Sequence, residues 1–387
     1  MNFSTAYLAI FTASSINVVS AFVGFAGPAR QQAVYGGRDG RQCRVGFSGR
    51  QKNAVGALSM AEDDYALSDL EQNSVTARVL SDALPFIQAH EDRTVVIKYG
   101  GHAMEDEEAS LSFAQDVVML KQCGVNPVVV HGGGPQIAAM LKRLDIPTSF
   151  VEGVRVSDPA TVEIAEMVLC GSINKGIASS IKRAGGRALG LSGKDDNLLI
   201  AKKLGKKIVD EETGKVKVVD IGCVGDITSV NTRVIRDLVG SGIVPVIAPI
   251  GVDEAGQTYN CNADTAAGAI AGALKAHRLL LLTDVAGVLN KEKELLQQMD
   301  STQVEELIED GTIFGGMIPK VNTALDAVKA GVGASIILDG RVRNALLLEL
   351  FCVCVCVCVC EAVARGLILF CVCGVMNRNE RVGTHII

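Results

Sequence analysis

The stretch TVVIKYGG, residues 94–101, decides the fold of this chain. Its first four residues are β-branched, which favours a strand, and two glycines end it. Five further stretches have the same form: NPVVVHGGG (126–134), RALGLSG (187–193), IVPVIAPIG (243–251), LLLLTDVAG (279–287) and ASIILDG (334–340). Helix-periodic segments such as 106–123 and 158–184 lie between them. This alternation predicts a three-layer αβα sandwich with a mostly parallel central sheet.

Three glycine clusters follow predicted strands: Gly100-Gly101, Gly132 to Gly134, and Gly190 to Gly193. In open parallel sheets, ligands bind beyond the carboxyl ends of the strands, where glycine lets backbone N–H groups approach an anion. A single cluster of this kind is more often a tight turn. Three clusters on one edge predict a phosphate-binding rim.

Two lysines give this rim its chemistry. Lys98 lies two residues before Gly100, and Lys320 opens a helical run after FGGMIP. No G-x-x-x-x-G-K-[ST] motif is present, and no G-x-G-x-x-G follows the first strand. Cations and backbone donors without a nucleophilic side chain fit phosphoryl transfer, although each lysine alone could equally be a solvated surface charge.

Composition limits the partners. The chain has 387 residues, 48% of them hydrophobic, and a formal charge of -6. No long basic run crosses its middle, so we expect no nucleic acid, and we expect no membrane association; a small molecule is the expected partner. Five scattered cysteines (Cys43, Cys123, Cys170, Cys223 and Cys261) are typical of reduced thiols.

The N-terminal segment 1–62 has the composition of a targeting presequence. Residues 6–25 are mostly small or apolar and carry no charge, as in a signal peptide. The following stretch to Ala61 is rich in arginine and contains one acidic residue, Asp39. The two parts resemble the bipartite presequence of algae with complex plastids, with Ser20-Ala21-Phe22 as the junction. This predicts that the protein is located in the chloroplast stroma. The alternative is a disordered tail without a targeting function.

Eight motifs resemble the N-acetylglutamate kinase family, in order and across about residues 65–351. They are VVIKYGGHAM, VVVHGGGPQI, FVEGVRVSDP, GLSGKDDNLL, YNCNADTAAGAIA, LLLLTDVAGVL, GGMIPKVNTALDAV and ILDGRVRNALLLELF. The resemblance implies the amino-acid kinase fold over 93–351, with an N-lobe for N-acetyl-L-glutamate and a C-lobe for ATP. It also implies phosphorylation of the γ-carboxylate with ATP and Mg²⁺, in arginine synthesis and without a covalent enzyme intermediate.

The same resemblance implies roles for individual residues. Lys98 and Lys320 would stabilise the transferring phosphoryl group, and Asp264 would hold both lysines. Arg155 would bind the substrate's α-carboxylate, and Asn260 the acetylated glutamate. Glycine N–H groups around the phosphates and acyl-phosphate oxygens would come from Gly100, Gly101, Gly133 and Gly134. The ATP side would be lined by Gly193, Asp284, Val285, Ala286, Gly287, Val288, Leu289, Thr312, Ile313 and Phe314. The protein itself would supply no metal ligand.

Simpler interpretations of the same residues stay open. Asn260 and Asn262 could be turn residues that cap the helix predicted over 263–276, with Asp264 an ordinary first-turn acid. His131, before three glycines, is expected to hydrogen-bond locally rather than to act in catalysis. The segments 202–217 and 251–260 are predicted hairpins, the second delivering Asn260 to the site.

Regulation is implied at both ends of the kinase region. A helical pattern over 69–90, within the segment 63–92, is expected to kink or break at Pro85. In the family such a helix accompanies homohexamers that arginine inhibits, and plastid members are also controlled by the PII protein. The resemblance places Glu349 in the arginine site, together with the C-terminal segment 379–387.

Residues 352–378 have no counterpart in the family and begin with alternating Cys and Val. A repeated TG dinucleotide encodes that alternation in either phase, so a retained intron is our explanation. As a strand, the tract would place same-face cysteines ~6.6 Å apart, near the upper limit for a disulfide, and the core offers no second cluster for a zinc site. Metal binding and redox chemistry are the alternatives.

Two other functions compete with the family's reaction. One is that of another amino-acid kinase, such as glutamate 5-kinase or a carbamate kinase, and Arg155 beside YNCNAD argues against it. The other is that of a catalytically inactive regulator that binds arginine or PII. The presence of Lys98, Asp264 and Lys320 together argues against this interpretation.

Overall fold

The structure, a computed structural model, describes residues 74, 77–100, 104, 106–147, 150–151, 154–209, 216–352 and 383–386. The predicted presequence, Gly101 and nearly all of the insertion 352–378 lie outside these residues. Among the helices within them, none is both long and apolar enough to cross a bilayer.

Strands and helices alternate as predicted. The strands are β1 Thr94–Tyr99, β2 Asn126–His131, β3 Phe150–Val151, β4 Val154–Arg155, β5 Ala188–Ser192, β6 Leu199–Val209, β7 Val216–Val230, β8 Val244–Ala248, β9 Ile250–Val252, β10 Thr258–Cys261, β11 Arg278–Thr283, β12 Gln298–Met299, β13 Ser335–Asp339 and β14 Gly383–Ile386. The helices are α1 (77–90), α2 Glu107–Gln122, α3 Gly134–Arg143, α4 Pro159–Glu166, α5 Asn174–Arg183, α6 Arg233–Gly240, α7 Ala263–Leu274, α8 Ser301–Glu309, α9 Met317–Lys329 and α10 Ala345–Leu347. Two π-helical segments, Met167–Ile173 and Leu348–Cys352, and the 3₁₀ turn Asp195–Asn197 complete the described elements.

The central sheet has the order β12-β14-β13-β11-β1-β2-β8-β5. Every neighbouring pair is parallel except β13 and β14. The six stretches expected to be strands are β1, β2, β5, β8, β11 and β13, so this part of the prediction is confirmed.

Side chains of β1 alternate between two apolar cores. Val95, Ile97 and Tyr99 pack with one group of helices, including α2 and α5, whereas Val96 packs with α7 and α9. Successive side chains of a strand point to opposite faces, so the two cores lie on opposite faces of the sheet. The three-layer αβα sandwich is therefore confirmed, and Lys98 lies on the face that α7 covers.

Two helical segments differ from expectation. The helix 77–90 continues through Pro85, so the expected break is wrong. A proline within a helix removes one backbone donor, and the helix here keeps its other turns. The predicted helical segment 158–184 is helical, but it contains the π-helix Met167–Ile173 between α4 and α5. Such π segments have no period that a search for 3.6-residue repeats detects.

A second, smaller sheet closes on itself in the order β10-β7-β6-β9. β6 and β7 pair antiparallel from Leu199 and Val230 to Val209 and Val216, as the hairpin predicted over 202–217 requires, and residues 210–215 between them lie outside the described residues. β9 and β10 form the other predicted hairpin, whose turn is closed by Asp253, since its Oδ1 accepts from the backbone N of Ala255 and Gln257. This hairpin ends directly before α7.

The cysteines of the described core are free thiols: Cys123, Cys170, Cys223 and Cys261. Burial raises the pKa of Cys261 to about 12, which keeps its thiol protonated and unreactive at neutral pH. Cys43 lies outside the described residues.

Candidate active site

Two lysines meet on one carboxylate where β1 ends and two helices begin. Lys98 Nζ lies 3.0 Å from Asp264 Oδ1, and Lys320 Nζ lies 3.2 Å from Asp264 Oδ2. The side chains of Lys98, Asp264 and Lys320 are 10%, 14% and 23% exposed, so all three are partly open to a ligand and otherwise enclosed. The structure therefore brings together the three residues expected to act in catalysis.

Local sequence rules place Asp264. Asn262 is the N-cap of α7, and its Oδ1 accepts hydrogen bonds from the backbone N of Asp264 at 2.8 Å and of Thr265 at 3.2 Å. The capping role considered for Asn262 is thus confirmed, and Asp264 is a first-turn acid as well as the partner of both lysines. Capping and lysine binding are compatible because the cap uses the backbone of Asp264 and leaves its carboxylate available.

Small residues in α7 allow α9 to approach and bring Lys320 with it. A Cβ atom added at Gly268 would lie 2.9 Å from Thr323 Cγ2, and one at Gly272 would lie 2.9 Å from Ala330 Cβ. Both distances are shorter than ordinary van der Waals contact, so glycine sets the separation of the two helices. Lys320 lies in the first turn of α9, beside the N-terminal end of α7.

The two ammonium groups keep Asp264 ionised. Burial on its own would raise the pKa of this carboxyl, but the charges of Lys98 and Lys320 outweigh burial and hold the pKa below its usual value. One carboxylate between two ammonium groups leaves a net positive charge. The cluster therefore attracts a further anion, such as a phosphate group.

The glycine clusters share one edge of the sheet. β1, β2 and β5 are all parallel members of it, so Gly100, Gly132 to Gly134 and Gly193 lie at the same edge, as predicted. Gly190 lies within β5 rather than after it, so its predicted place in the rim is wrong. A Cβ atom at Gly100 would lie 3.3 Å from Lys98 Nζ, so glycine leaves that ammonium group room. Gly101 lies outside the described residues, and its role stays a prediction.

Arg155 and the glycines after β2 come together. Gly133 is the N-cap of α3 and Gly134 its first residue, and Nη2 of Arg155 donates to Gly134 O at 3.2 Å. The first backbone N–H groups of a helix have no partner within it, which makes this end attractive to anions. Burial lowers the pKa of Arg155, but the guanidinium remains charged at neutral pH.

Asn260 lies in β10, two residues before the cap of α7. The same strand contacts a lysine that the sequence analysis missed: Lys194 Nζ lies 2.9 Å from Glu166 Oε1 and 3.0 Å from Thr258 Oγ1. Lys194 thereby joins the end of α4 to the strand that carries Asn260. Its position in GLSGKDD, directly after the third glycine cluster, is the signal that could have revealed it.

Predicted ATP-side residues divide by exposure. Asp284, Val285, Ala286, Leu289 and Phe314 are exposed, Thr312 is half-buried, and Gly287, Val288 and Ile313 are buried. The side chains of Val288 and Ile313 belong to the core, so only their backbone could face a nucleotide. Lys291 Nζ, 3.1 Å from Asp310 Oδ2, connects the loop after β11 to the loop before Thr312.

Gly193 has a steric role of its own. A Cβ atom there would lie 2.6 Å from Leu199 Cδ1 and would overlap Ile250 O. The glycine thus allows the turn after β5 to pass close to β6 and β9. Its predicted contact with ATP stays a prediction.

Glu349, the predicted effector residue, is buried against the C-terminal strand. Its Oε1 lies 2.8 Å from His385 Nε2, and both side chains are less than a tenth exposed. Glu349 lies in the π-helix Leu348–Cys352, and His385 in β14. The C-terminal segment beyond the insertion is therefore part of the same structural region as Glu349.

Among the described residues, no group of three or more His, Cys, Asp or Glu side chains is arranged to hold a metal ion. The site supplies cations and backbone donors instead, which fit a polyanion that brings its own Mg²⁺. A nucleoside triphosphate with Mg²⁺ is such a polyanion.

Known proteins share this sequence and fold. Residues 93–339 match the amino acid kinase family. Over 275 residues the chain is 57% identical to the acetylglutamate kinase of Parvibaculum lavamentivorans and 58% identical to that of Rhodospirillum centenum, in each case covering 71% of this chain and 90% of the relative.

A solved structure shows the same fold. It is N-acetylglutamate synthase from Neisseria gonorrhoeae, complexed with coenzyme A and N-acetyl-glutamate, with a TM-score of 0.62 and 22% identity over 79% of this chain. The match spans 62% of the length of that synthase, and at this identity it bears on fold alone.

Proposed function

The chain belongs to the amino acid kinase family, among its acetylglutamate kinases, and from this premise we propose how its site carries out the reaction. It transfers the γ-phosphoryl group of ATP to the side-chain carboxylate of N-acetyl-L-glutamate, a step of arginine biosynthesis. The observation that carries the proposal is the pair Lys98 and Lys320 on the single carboxylate of Asp264, at a glycine-lined edge of the sheet.

The reaction needs charge neutralisation more than proton transfer. A carboxylate oxygen of the substrate attacks the γ-phosphorus, a new O–P bond forms, and the bond to the β-phosphate oxygen breaks to release ADP. The nucleophile is already an anion, so no general base is required. The difficulty is that two anions must meet, and Lys98 and Lys320 reduce their repulsion.

Each part of the site has a task in this step. Asp264 fixes the spacing of the lysines, and the N–H groups of the glycine turns and of the α3 N-terminus bind phosphoryl oxygens. Arg155 binds the α-carboxylate of N-acetyl-L-glutamate, a task suited to a planar, bidentate guanidinium, and Asn260 binds its acetylated end. Mg²⁺, brought by ATP, neutralises charge on the phosphates.

Trapping the acyl phosphate with hydroxylamine tests the reaction. We expect ATP-dependent hydroxamate from N-acetyl-L-glutamate and little from glutamate or carbamate. Turnover of glutamate or carbamate in preference would favour another amino-acid kinase. Binding of N-acetyl-L-glutamate or arginine without any turnover, in a protein lacking residues 352–378, would favour an inactive regulator.

The assignment of Arg155 predicts a selective change in affinity. Arg155→Lys keeps the charge but loses the planar fork, so we expect a higher KM for N-acetyl-L-glutamate, by about ten-fold, with a small change in the KM for ATP. Steady-state kinetics with each substrate varied in turn measure both values. An effect on ATP alone would contradict the assignment.

We also propose arginine feedback through Glu349 in a homohexamer assembled by the helix 77–90. Three apolar side chains of that helix, Val79, Leu80 and Leu84, are 61%, 45% and 51% exposed, which supports a partner surface there. Glu349→Gln should weaken arginine inhibition without loss of activity at zero arginine. Sedimentation of a version lacking residues 1–92 should show a smaller assembly, and unchanged inhibition and assembly would refute this scheme.

Control by PII and plastid targeting complete the proposal. A pull-down with a PII protein, with and without ATP, tests the first, and no complex under either condition would refute it. The composition of residues 1–62 supports the second. A fluorescent protein fused after residue 62 should reach the stroma of a complex plastid, and cytosolic fluorescence would refute the address.

A further inference from the structure

A chain of buried polar side chains runs beneath the glycine turn after β2. His131, the last residue of β2, and Asn174, the first residue after the π-helix Met167–Ile173, are both fully buried. His131 Nε2 lies 3.1 Å from Asn174 Nδ2, and His131 Nδ1 lies 2.9 Å from Gly132 O. Buried polar groups of this kind are retained only when their hydrogen bonds are made.

The hydrogen-bond partners determine which atom carries each proton. Asn174 Nδ2 lies 2.8 Å from Val246 O and 3.2 Å from Leu191 O, and carbonyls can only accept. An amide nitrogen has two hydrogens and cannot accept, so in its contact with His131 Nε2 the ring nitrogen must be the acceptor, and one amide hydrogen is shared between Nε2 and the longer contact to Leu191 O. The ring proton is thus on His131 Nδ1, and it is donated to Gly132 O.

The other end of the amide is fixed as well. Lys175 Nζ donates to Asn174 Oδ1 at 3.2 Å and to Gly190 O at 2.7 Å. A Cβ atom at Gly190 would overlap Asn174 Oδ1, so this glycine serves packing. Burial, with a smaller contribution from the charge of Lys175, lowers the pKa of His131 to about 4, and the ring stays neutral at physiological pH.

This arrangement fixes one peptide plane at the active site. In a trans peptide the C=O and N–H groups point in opposite directions, so holding Gly132 O on the His131 ring turns the N–H of Gly133 away from it. The same turn adjoins the catalytic cluster: a Cβ atom at Gly132 would lie 3.8 Å from Gly100 Cα and 3.8 Å from Ala263 Cβ. Ala263 precedes Asp264 directly.

The π-helix packs on this peptide. A Cβ atom at Gly133 would lie 2.7 Å from Leu169 Cδ2 and would overlap Ile173 Cδ1. The extra residue of a π turn changes the direction of the side chains that follow, and here Asn174 follows. The π-helix thereby supports the glycine turn and aims Asn174 at His131.

We infer that His131 and Asn174 are positioning residues that hold the Gly132-Gly133 peptide so that the glycine turn presents its N–H groups to the transferring phosphoryl group. The inference rests on the proposed function and deepens it. A donor fixed before the reaction needs no reorganisation when charge develops, and small displacements of such a donor are costly.

Two isosteric variants separate positioning from general stability. In His131→Asn the side-chain amide nitrogen can take the place of Nδ1 and donate to Gly132 O. In His131→Gln the longer side chain places its amide at the position of Nε2, so the donor to Gly132 O is lost. We expect His131→Gln to lower kcat by about 10²-fold with smaller changes in both KM values, and His131→Asn to recover most of the loss. Ile177→Ala, a core change in α5, is the control for destabilisation.

Crystal structures of the wild-type protein and His131→Gln give a readout that does not depend on turnover. The Gly132-Gly133 peptide should be rotated in His131→Gln and native in His131→Asn. If wild-type protein forms no acyl phosphate, the proposed function fails, while the peptide comparison still tests positioning. Equal peptide orientation in both variants, or a kcat for His131→Gln no lower than for Ile177→Ala, would overturn the inference.

Discussion

Asp264 shows how one residue can stabilise the fold and define the site. Its backbone N binds the cap of α7, and its carboxylate binds both lysines. Two ammonium groups held this close would repel each other without it, and breaking a partly buried ion pair leaves an uncompensated charge. The residues expected to be catalytic are therefore also linked energetically.

The lysines are predicted to act on the transition state. Lys98→Ala or Lys320→Ala should lower kcat by an amount equivalent to roughly 2 to 4 kcal/mol in the barrier, because each ammonium group offsets charge that grows during transfer. Lys329→Ala is the matched control, since Lys329 lies on the same helix as Lys320 in an exposed pair with Glu305. Steady-state kinetics measure the effect, and an unchanged kcat would remove the role.

The carboxyl group of Asp116, which lies away from the site, is expected to make the stability of the protein depend on pH. This carboxyl is buried, accepts from Leu346 N at 3.3 Å, and faces the charge of Arg343; burial raises its pKa to about 7. Between about pH 4 and pH 7 the folded state holds a proton that the unfolded state has lost, so stability falls as pH rises across this window.

Asp116→Asn should remove that slope. We expect the free energy of unfolding of the variant, relative to wild type, to increase from pH 5 to pH 8 by up to about 3 kcal/mol, since about two pH units of the window lie between these values. Urea unfolding at both pH values and one protein concentration measures the difference. A difference that stays constant with pH would show that Asp116 does not titrate in this range.

At the scale of elements, the sequence predicts what is periodic or ends in glycine. The six core strands, their common edge and the cap at Asn262 follow from local rules, because burial and capping leave a pattern in a few adjacent residues. Local rules do not predict the π-helix, Lys194 or the pair of His131 and Asn174. Their partners lie on elements distant in sequence, so only the assembled sheet brings them together.

The packing of α7 on α9 gives a prediction for Gly268. Gly268→Ala raises helix propensity by up to about 1 kcal/mol, but the new methyl group meets Thr323 Cγ2, and overpacking costs about 1–3 kcal/mol. We expect net destabilisation by about 1 kcal/mol and a lower kcat, since α9 carries Lys320. Urea unfolding and kinetics report the two effects.

A second substitution and a control make this prediction specific. Thr323→Ser removes the methyl group that Gly268→Ala would meet, so the double variant should recover stability. Gly176→Ala, in α5, places a Cβ atom in open space and should be neutral or stabilising. A Gly268→Ala variant as stable as Gly176→Ala would show that glycine does not set the spacing of the helices.

On the scale of the whole molecule, the C-terminal strand belongs to the kinase region. β14 pairs with β13 and β12, and Thr384 Oγ1 accepts from Val288 N at 2.9 Å. Thr384 and Ile386 are fully buried. The loop that contributes Asp284 to Leu289 therefore depends on residues beyond the insertion, and the predicted effector residue Glu349 contacts His385 in the same strand.

This integration predicts that the insertion can be removed but the strand cannot. Because Glu349 and His385 touch, residues 379–382 can connect Phe351 to Gly383 without residues 352–378. The deletion halves the length of the connection roughly three times over, and each halving lowers the free-energy cost of loop closure by ~0.6 kcal/mol. The shorter protein should therefore be more stable by about 2 kcal/mol, with kcat unchanged.

Removing residues 380–387 instead should destabilise the protein and abolish any response to arginine, because it exposes the edge of β13 and leaves Val288 N without its acceptor. Thermal unfolding and hydroxamate formation, measured for both deletions, compare the outcomes. Loss of activity on removal of 352–378 would mean that the tract has a role in the folded enzyme, and a transcript containing it would exclude a retained intron. With the shorter connection active, the kinase would consist of 93–351 joined directly to its final strand.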